Sequence, residues 1–378
     1  MKKNYQVCTR CVMDTSDPEI QFDENGVCNH CHSYDRAVAL YVRTGAAGRS
    51  ELSHLICQIK HDGAKKQYDC IIGVSGGVDS TYVAYKVKEM GLRPLAVHLD
   101  NGWDSELAIK NVENICRKLQ IDLHTIVLDW SEFRDLQLAF LKASTPDSEI
   151  PSDHAIRVSM LQAAKMTGVK HIITGCNVRT ESHLPSAWSQ GHLDWRYINN
   201  IQKRFGSVQL KTFPHVNFRE FIFSPYNKKQ LNILNYLNYS KRDVMPILEQ
   251  ELGWRYYGGK HYESIYTRWY QGYWLPLKFG YDKRRTHMSS LICSGEMTRA
   301  DALEALTNTS YPTALQKEDT AYVIKKLDIT EDQLDALLHL PQKSYWDYPS
   351  YGQIYKTLLY RSLRVIYRAI KSKIHGYR

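Results

Sequence analysis

Ser75-Gly76-Gly77-Val78-Asp79-Ser80 is the stretch whose residue types and spacing most directly specify a chemistry. Ile71, Ile72 and Val74 ahead of it form a short apolar run, the pattern of a buried strand. Behind it Val83, Ala84, Val87 and Met90 recur at helical spacing until Gly91. A strand that turns on glycines into a helix aims backbone N–H groups and the positive end of the helix dipole at one point. Glycine lets an anion approach the backbone, and Ser75 and Ser80 add hydroxyl donors. The expected ligand is a phosphate. No Gly-Lys-Ser/Thr follows, so the loop is not of the Walker type.

Two further groups carry chemistry. Cys8-Thr9-Arg10-Cys11 and Cys28-Asn29-His30-Cys31 are CxxC pairs separated by sixteen residues, a zinc-ribbon spacing. Cys8, Cys11, Cys28 and Cys31 can meet one tetrahedral ion, and such a closed site is structural. Cys₄ also holds iron–sulfur clusters, and His30 and His32 are substitute ligands. Farther along, Lys283-Arg284-Arg285 is either a solvated basic face or a clamp on polyphosphate.

The elements around these groups read as follows. Residues 1–35 are a turn-rich ribbon. Residues 36–68 are a helical connector with a flexible break at Gly45-Ala46-Ala47-Gly48. Residues 69–180 alternate strands and helices, the mark of a parallel α/β sheet. Its strands are the run before Ser75, Pro94–Asp100, His124–Asp129 and Val169–Thr174, with Asp153 capping a helix that ends at Gly168. Ligands of such sheets bind outside the carboxyl ends of the strands. That places Ser75–Ser80, His98–Asp100 and Gly175–Asn177 along one rim, with Asp79 or Asp100 available to hold Mg²⁺ beside the phosphates. Asp100 and Gly175 could equally be turn formers. Residues 181–310 are a substrate-side insertion and helices. That region shows little period apart from apolar stretches at 208–213 and 218–223, and its aromatics either stack on a sugar or a base or, the preferred reading, fill a core. Ser240 starts a helix ending near Gly253, and Thr298 caps another. Residues 311–378 are helical and end in a basic amphipathic tail. Cys57, Cys70 and Cys116 are expected to be buried thiols.

Composition bounds the function. The 378 residues carry a net charge of +9, which suits anionic partners. No apolar run is long enough for a membrane span and no signal-peptide core follows Met1, so a cytoplasmic protein is expected. Nine cysteines in such a chain point to metal or free thiols rather than disulfides.

The loop resembles the SGGxDS signature of the ATP pyrophosphatases, which cleave ATP between its α and β phosphates to adenylate an oxygen. More of the chain resembles the bacterial N-acetyl sugar amidotransferases, through CTRCVMDT, SGGVDS, HLDNGW, IPSDHA, TGCN followed by TES, HYESIYTRWYQ and KFGYDKRRTHMSSLICSGEMTRADAL, in order from Cys8 to about Leu306. Cys176 departs from the glycine that relatives tend to carry. The resemblance implies an enzyme that converts the acetamido group of a nucleotide-linked or free sugar into an acetamidino group in O-antigen or flagellin-glycan pathways, using ATP, Mg²⁺ and ammonia. It implies that Ser75, Gly76, Gly77, Val78, Asp79 and Ser80 hold pyrophosphate. His98, Leu99, Asp100, Gly175 and Asn177 would hold the rest of ATP. Asp79, Lys283 and Glu263 would be catalytic, and Asp153, Glu181, Arg268 and Arg284 would bind the sugar. Position 2 holds a lysine rather than a cysteine, and no Gly-x-Cys-x-Gly elbow occurs. The resemblance implies separate glutaminase and cyclase-like subunits that channel ammonia, with no nucleic acid partner and with a homodimer possible. A tRNA thiolase of the same superfamily, or a zinc-ribbon scaffold without catalysis, are the competing readings.

Overall fold

The apolar run ahead of Ser75 becomes the middle of a five-stranded sheet, β1 (Cys70–Gly73), in a computed structural model that describes residues 4–217, 220, 229–309 and 311–356. The other strands are β2 (Pro94–Asp100), β3 (Asp122–Val127), β4 (Ile172–Thr174) and β5 (Gln230–Asn232), in the order β3-β2-β1-β4-β5. Every pairing is parallel. β1 shows why a continuous apolar run is needed. Ile71 packs with Leu95, Val97, Met160 and Leu161 on one face. Its neighbours Cys70 and Ile72 pack with Val83, Val87, Ala96 and Val112 on the other.

Helices cover both faces. After α1 (Asn29–Tyr41) and α2 (Gly45–Gly63) come α3 (Val78–Glu89), α4 (Glu106–Leu119), α5 (Trp130–Ala143) and α6 (Ile150–Thr167), interleaved with the first four strands. The chain runs outward from β1 to β3, then returns across β1 to lay down β4 on its far side. Binding crevices of open α/β sheets form at such reversals of strand order, and the Ser75 loop leaves β1 there.

Beyond the sheet lie α7 (Val178–Glu181), α8 (Trp195–Phe205), α9 (Lys241–Leu252), α10 (Ile265–Trp269), α11 (Leu275–Phe279), α12 (Lys283–Ser294), α13 (Arg299–Thr307), α14 (Thr313–Leu327), α15 (Glu331–His339) and α16 (Tyr351–Lys356). The abundant aromatics are core: Trp103, Phe133, Tyr197, Tyr266, Trp269, Tyr270 and Trp274 join one buried cluster. Trp188 is buried against the cysteine ribbon and stacks on Tyr281. Two buried carboxylates of α5 organise the loop after α8. Glu132 accepts from the amides of Lys211, Thr212 and Phe213, and Asp135 from those of Ser207 and Val208.

Several expectations are corrected. Gly45–Gly48 is the first turn of α2, not a break. Helix α6 begins at Ile150 with Pro151 in its first turn, so Asp153 lies inside the helix and caps nothing. β5, three polar-flanked residues, carries no periodic signal. Cys57 is exposed, whereas Cys70 and Cys116 are buried. The stretch 218–223, apart from residue 220, and the tail from 357 onward lie outside the described residues. No helix among the described residues is long and apolar enough to cross a membrane.

Candidate active site

The Ser75–Ser80 loop forms the corner between β1 and α3. Gly76 has φ +76°, and a Cβ there would fall 2.6 Å from the Ala108 carbonyl oxygen, so only glycine makes this turn. The Gly76 carbonyl accepts from Trp254 Nε1 at 2.8 Å, which turns this residue away from the cavity and into the core. Ser75 and Ser80 approach Oγ to Oγ at 3.2 Å, and Ser80 Oγ accepts from the Ser75 amide at 3.3 Å. Asp79, in the first turn of α3, accepts from Tyr239 Oη at 2.6 Å and pairs with Lys241 Nζ at 2.9 Å. Gly175, at the end of β4, must be small as well, because a Cβ there would sit 3.2 Å from the Asp79 backbone.

Facing the loop is a cavity of about 730 Å³ lined by charges of both signs. Lys241 and Lys260 line it together with His261, His287, Tyr257, Glu181 and Glu263. Burial pulls Lys241 down, but the Asp79 carboxylate outweighs it, and the ammonium is held above its ordinary range. Lys260 is pushed down, by burial first and then by the neighbouring Lys241 and Lys283. Its Nζ lies 3.5 Å from His287 Nδ1. Burial, then the Lys260 and Lys241 charges, drop His287 to about 2, so the imidazole is neutral and accepts from Lys260.

Ser75, Ser80, Gly175, Cys176, His261 and Glu263 also line a second cavity of about 550 Å³, so the loop stands at a shared wall. This compartment is reached by Val97, His98 and Leu99 at the end of β2, and by Asp147, Glu149, Asp153, His192 and Lys283. Lys283 Nζ lies 3.4 Å from Glu149 Oε2, which also accepts from Gln271 Nε2 at 2.7 Å. Burial lowers Lys283, yet Asp147, Glu149 and Asp153 overcome it and keep the ammonium charged. His192 sits 3.3 Å from Asp153 and 3.7 Å from Asp147. Burial lowers it, and those two carboxylates more than compensate, lifting it to about 9. Asp153 opens onto the cavity and is pushed up to about 6, by burial first and then by Asp147 and Glu149.

Because its folded pKa is raised, His192 contributes stability that is fully present below the unfolded value of about 6.5. That contribution is lost as pH rises through about 9. An NMR titration of the ring nitrogens is expected to show His192 still protonated at pH 7.5 in the wild type. In Asp147→Asn the midpoint should fall by at least one unit; an unchanged midpoint would remove the carboxylates as the cause.

Glu263 is placed by two anchors. The Ser105 amide donates to the Glu263 carbonyl at 2.8 Å, and the Ile265 amide to the Trp103 carbonyl at 2.8 Å. Its Oε1 lies beside the space a Gly77 Cβ would fill and 3.5 Å from His261 Nδ1. Its Oε2 is buried and has no hydrogen-bond partner among the described residues. His261 takes φ +62°, a left-handed backbone held at the cavity wall in a non-glycine residue.

Other expected residues lie elsewhere. Asp100 Oδ1 accepts from the Gly102 amide at 2.8 Å, the turn-forming alternative, and does not line the cavities. Asn177 is buried and caps α7 through the Thr180 amide at 3.0 Å. Arg284 is folded back on Asp282 and donates to the carbonyls of Ala305 and Asn308. Arg268 forms a two-bond pair with Asp319, at 2.6 Å each, away from both cavities. Both arginines thus find carboxylates nearer than the site, Arg284 a local one in Asp282 and Arg268 a distant one that spacing alone could not show. His98 also has a structural component: Nδ1 lies 2.9 Å from the Val74 carbonyl and Nε2 3.2 Å from Asp104.

The Arg268 pair gives a test. Arg268→Met leaves Asp319, 3% exposed, without a counter-charge. It should cost about 3–5 kcal/mol of stability, and Arg268→Met/Asp319→Leu should recover most of it. Thermal melts read both, and a large rise in substrate KM without loss of stability would return Arg268 to the site.

Sequence reasoning missed Lys241, Lys260, His287, Asp147, Glu149 and His192. His192 sits in a stretch without periodicity, and Lys241 opens the helix expected after Ser240, where spacing does not say what its charge faces. Lys260 and His287 lie within or beside the quoted motifs, which do not by themselves single them out.

The cysteine ribbon is assembled as expected. Sγ atoms of Cys11 and Cys28 are 3.7 Å apart, of Cys28 and Cys31 3.8 Å, and of Cys8 and Cys31 3.9 Å. Four sulfurs bonded at about 2.3 Å to one tetrahedral ion stand about 3.8 Å apart, so the set fits a single Zn²⁺. Backbone amides of Cys11, Met13 and Cys28 donate to the sulfurs. His30 and His32 are paired with Asp17 and Asp23 rather than the thiols. The ribbon is clamped to the α12–α13 region: Arg285 donates to the Val12 carbonyl, Ser289 Oγ accepts from the Val12 amide, and Arg299 donates to the carbonyls of Cys8 and Cys11.

Comparison with known proteins agrees with this geometry. Residues 69–188 match the family model described as queuosine biosynthesis protein QueC, and residues 263–363 match LPS biosynthesis protein WbpG-like, C-terminal domain. An uncharacterized protein of Methanocaldococcus jannaschii is 28% identical over 171 residues, 44% of this chain and 58% of that protein. The tRNA-specific 2-thiouridylase MnmA of Pseudoalteromonas translucida is 32% identical over 126 residues, 29% of this chain and 34% of that enzyme. The chain thus spans little more than half of the first relative and about a third of the second. NMN synthetase from Francisella tularensis (16% identity, TM-score 0.29, 49% of this chain and 71% of that one) is a faint structural likeness. So is NH3-dependent NAD synthetase from Campylobacter jejuni (13%, TM-score 0.30, 55% and 85%). With the loop and the parallel sheet, the two family matches make the chain similar to the PP-loop ATP pyrophosphatases over residues 69–188 and to WbpG-like C-terminal domains over residues 263–363.

Proposed function

We propose that the protein is an ATP-dependent amidotransferase that turns the acetamido group of an N-acetylated sugar into an acetamidino group. The observation that carries this reading is the shared wall. A phosphate loop stands between one compartment lined by Lys241 and Lys260 and another lined by Asp147, Glu149, Asp153 and His192. Cations suit a triphosphate. Carboxylates and an imidazole suit the hydroxyl donors of a sugar.

An amide carbonyl is too poor an electrophile for ammonia to displace its oxygen. In the proposed reaction the amide oxygen attacks the α phosphorus, and the bond to the β-phosphate oxygen breaks. Pyrophosphate leaves toward the α3 N-terminus, Ser75, Ser80 and Lys241. Ammonia then adds to the imidate carbon, a proton is lost, and the C–O bond breaks to release AMP and the amidine. The protein mainly positions the partners and offsets charge. Lys283, held protonated, faces developing negative charge as a cation rather than acting as a base. Asp79 and Glu263, which both line the cavity at the loop, are the carboxylates that would hold Mg²⁺, and the ion would neutralise the phosphates when bound. Ammonia would come from a separate glutaminase subunit.

The test is release of AMP and pyrophosphate by purified, tRNA-free protein given ATP, ammonium and a panel of UDP-linked acetamido sugars, with Ser75→Ala as control. Sugar- and ammonium-dependent AMP, with O replaced by NH in the product mass, is expected. Turnover only with bulk tRNA would replace this reading with a thiolase.

A further inference from the structure

We infer that the protein binds a second metal ion, held by Cys31, His183 and Cys293 and joined to the four-cysteine site through a bridging Cys31 thiolate. Cys293 Sγ lies 3.8 Å from Cys31 Sγ and 3.7 Å from His183 Nε2. The three ligand atoms all fall within 4.8 Å of one another. The two measured separations are edge lengths of a metal-centred tetrahedron, since bonds of about 2.0–2.3 Å to nitrogen and sulfur separate neighbouring ligands by about 3.5–3.8 Å.

The hydrogen bonds around His183 set its protonation in the required sense. Ser290 Oγ donates its proton to the Thr286 carbonyl at 3.1 Å. With its proton spent there, it accepts at its 2.9 Å contact with His183 Nδ1, an arrangement that puts the ring proton on Nδ1. Nε2 is left with its lone pair turned to the thiols. A second ring nitrogen oriented by a neighbouring acceptor is the usual support of a metal-bound histidine. His183 is fully buried and packs on Tyr34 at 5.3 Å. Two thiolates and an imidazole suit Zn²⁺. Three protein ligands leave a fourth position for water, unlike the closed Cys₄ set. Cys31 comes from α1, His183 from the segment after α7 and Cys293 from α12, so this ion would tie the ribbon to the helix that carries Lys283 and His287.

The experiment is metal stoichiometry on full-length protein loaded with zinc and exchanged into metal-free buffer. Two zinc ions per chain are expected for the wild type, and one for Cys293→Ser and for His183→Ala. Stepwise Co²⁺ loading of wild-type apoprotein should give two successive sets of absorption bands. Magnetic coupling through the shared sulfur should appear only after the second equivalent. One zinc per chain in the wild type, with cobalt bands saturating at one equivalent, would overturn the proposal. The cobalt titration uses no substitution, so it decides even if a variant fails to fold.

Discussion

Lys241→Ala is expected to lower kcat for AMP formation by roughly 10²–10³-fold, the loss seen when one preorganised group facing developing charge is removed. KM for ATP should change far less. The side chain is 19% exposed, faces the loop across the cavity and stays charged against Asp79. A cation in a water-poor site acts on the departing pyrophosphate without having to reorganise at the moment of bond breaking. Pyrophosphate release under saturating ATP reads the effect. The rival role, mere neutralisation of Asp79, is separated by inhibition with added pyrophosphate: if Lys241 serves the phosphates, Lys241→Ala weakens that inhibition, and if it serves only Asp79, the inhibition constant is unchanged.

The second large effect is expected from the ribbon, although it contributes no residue to the cavity walls. Ion binding by a four-cysteine site supplies about 10–16 kcal/mol of folding energy, as much as the whole stability of a typical domain, about 5–15 kcal/mol. Stripping the ion with a chelator should therefore unfold the ribbon rather than loosen it. The contacts of Arg285, Ser289 and Arg299 with the ribbon backbone end at the same time. Arg285 and Ser289 lie on α12, whose Lys283 and His287 line the two compartments. Hydrogen exchange should show amides 8–31 losing protection first, followed by those of α12. ATP turnover should fall with them and return on adding Zn²⁺. Turnover that survives a fully exchanging ribbon would confine the ion to a local role. Substituting the exposed Cys57 should change neither property.

The sequence by itself determined the parts that depend on local chemistry. A glycine turn between an apolar run and a helix can form only a few structures, and the Ser75–Ser80 corner is one of them. Two CxxC pairs carry their ion geometry in their spacing. Gly168, Gly253, Gly280 and Gly295 end helices in the left-handed conformation that glycine alone adopts without strain. The alternation of strands and helices announced a parallel sheet, because buried parallel strands need unbroken apolar runs.

Only the tertiary structure decided which charges face the site. Arg268 sits in a motif-like stretch, yet Asp319 captures it away from the cavities. Lys241 and Lys260 reach the loop because α9 and the segment before Glu263 pack over α3. Asp153 lies within the first turns of α6, and only the fold turns its carboxylate to the second cavity. The physical reason is common to all of these. Turns and metal knuckles are settled by neighbours within a few residues. A charged side chain is settled by the nearest opposite charge in space, and for Arg268 that charge lies 51 residues away in sequence.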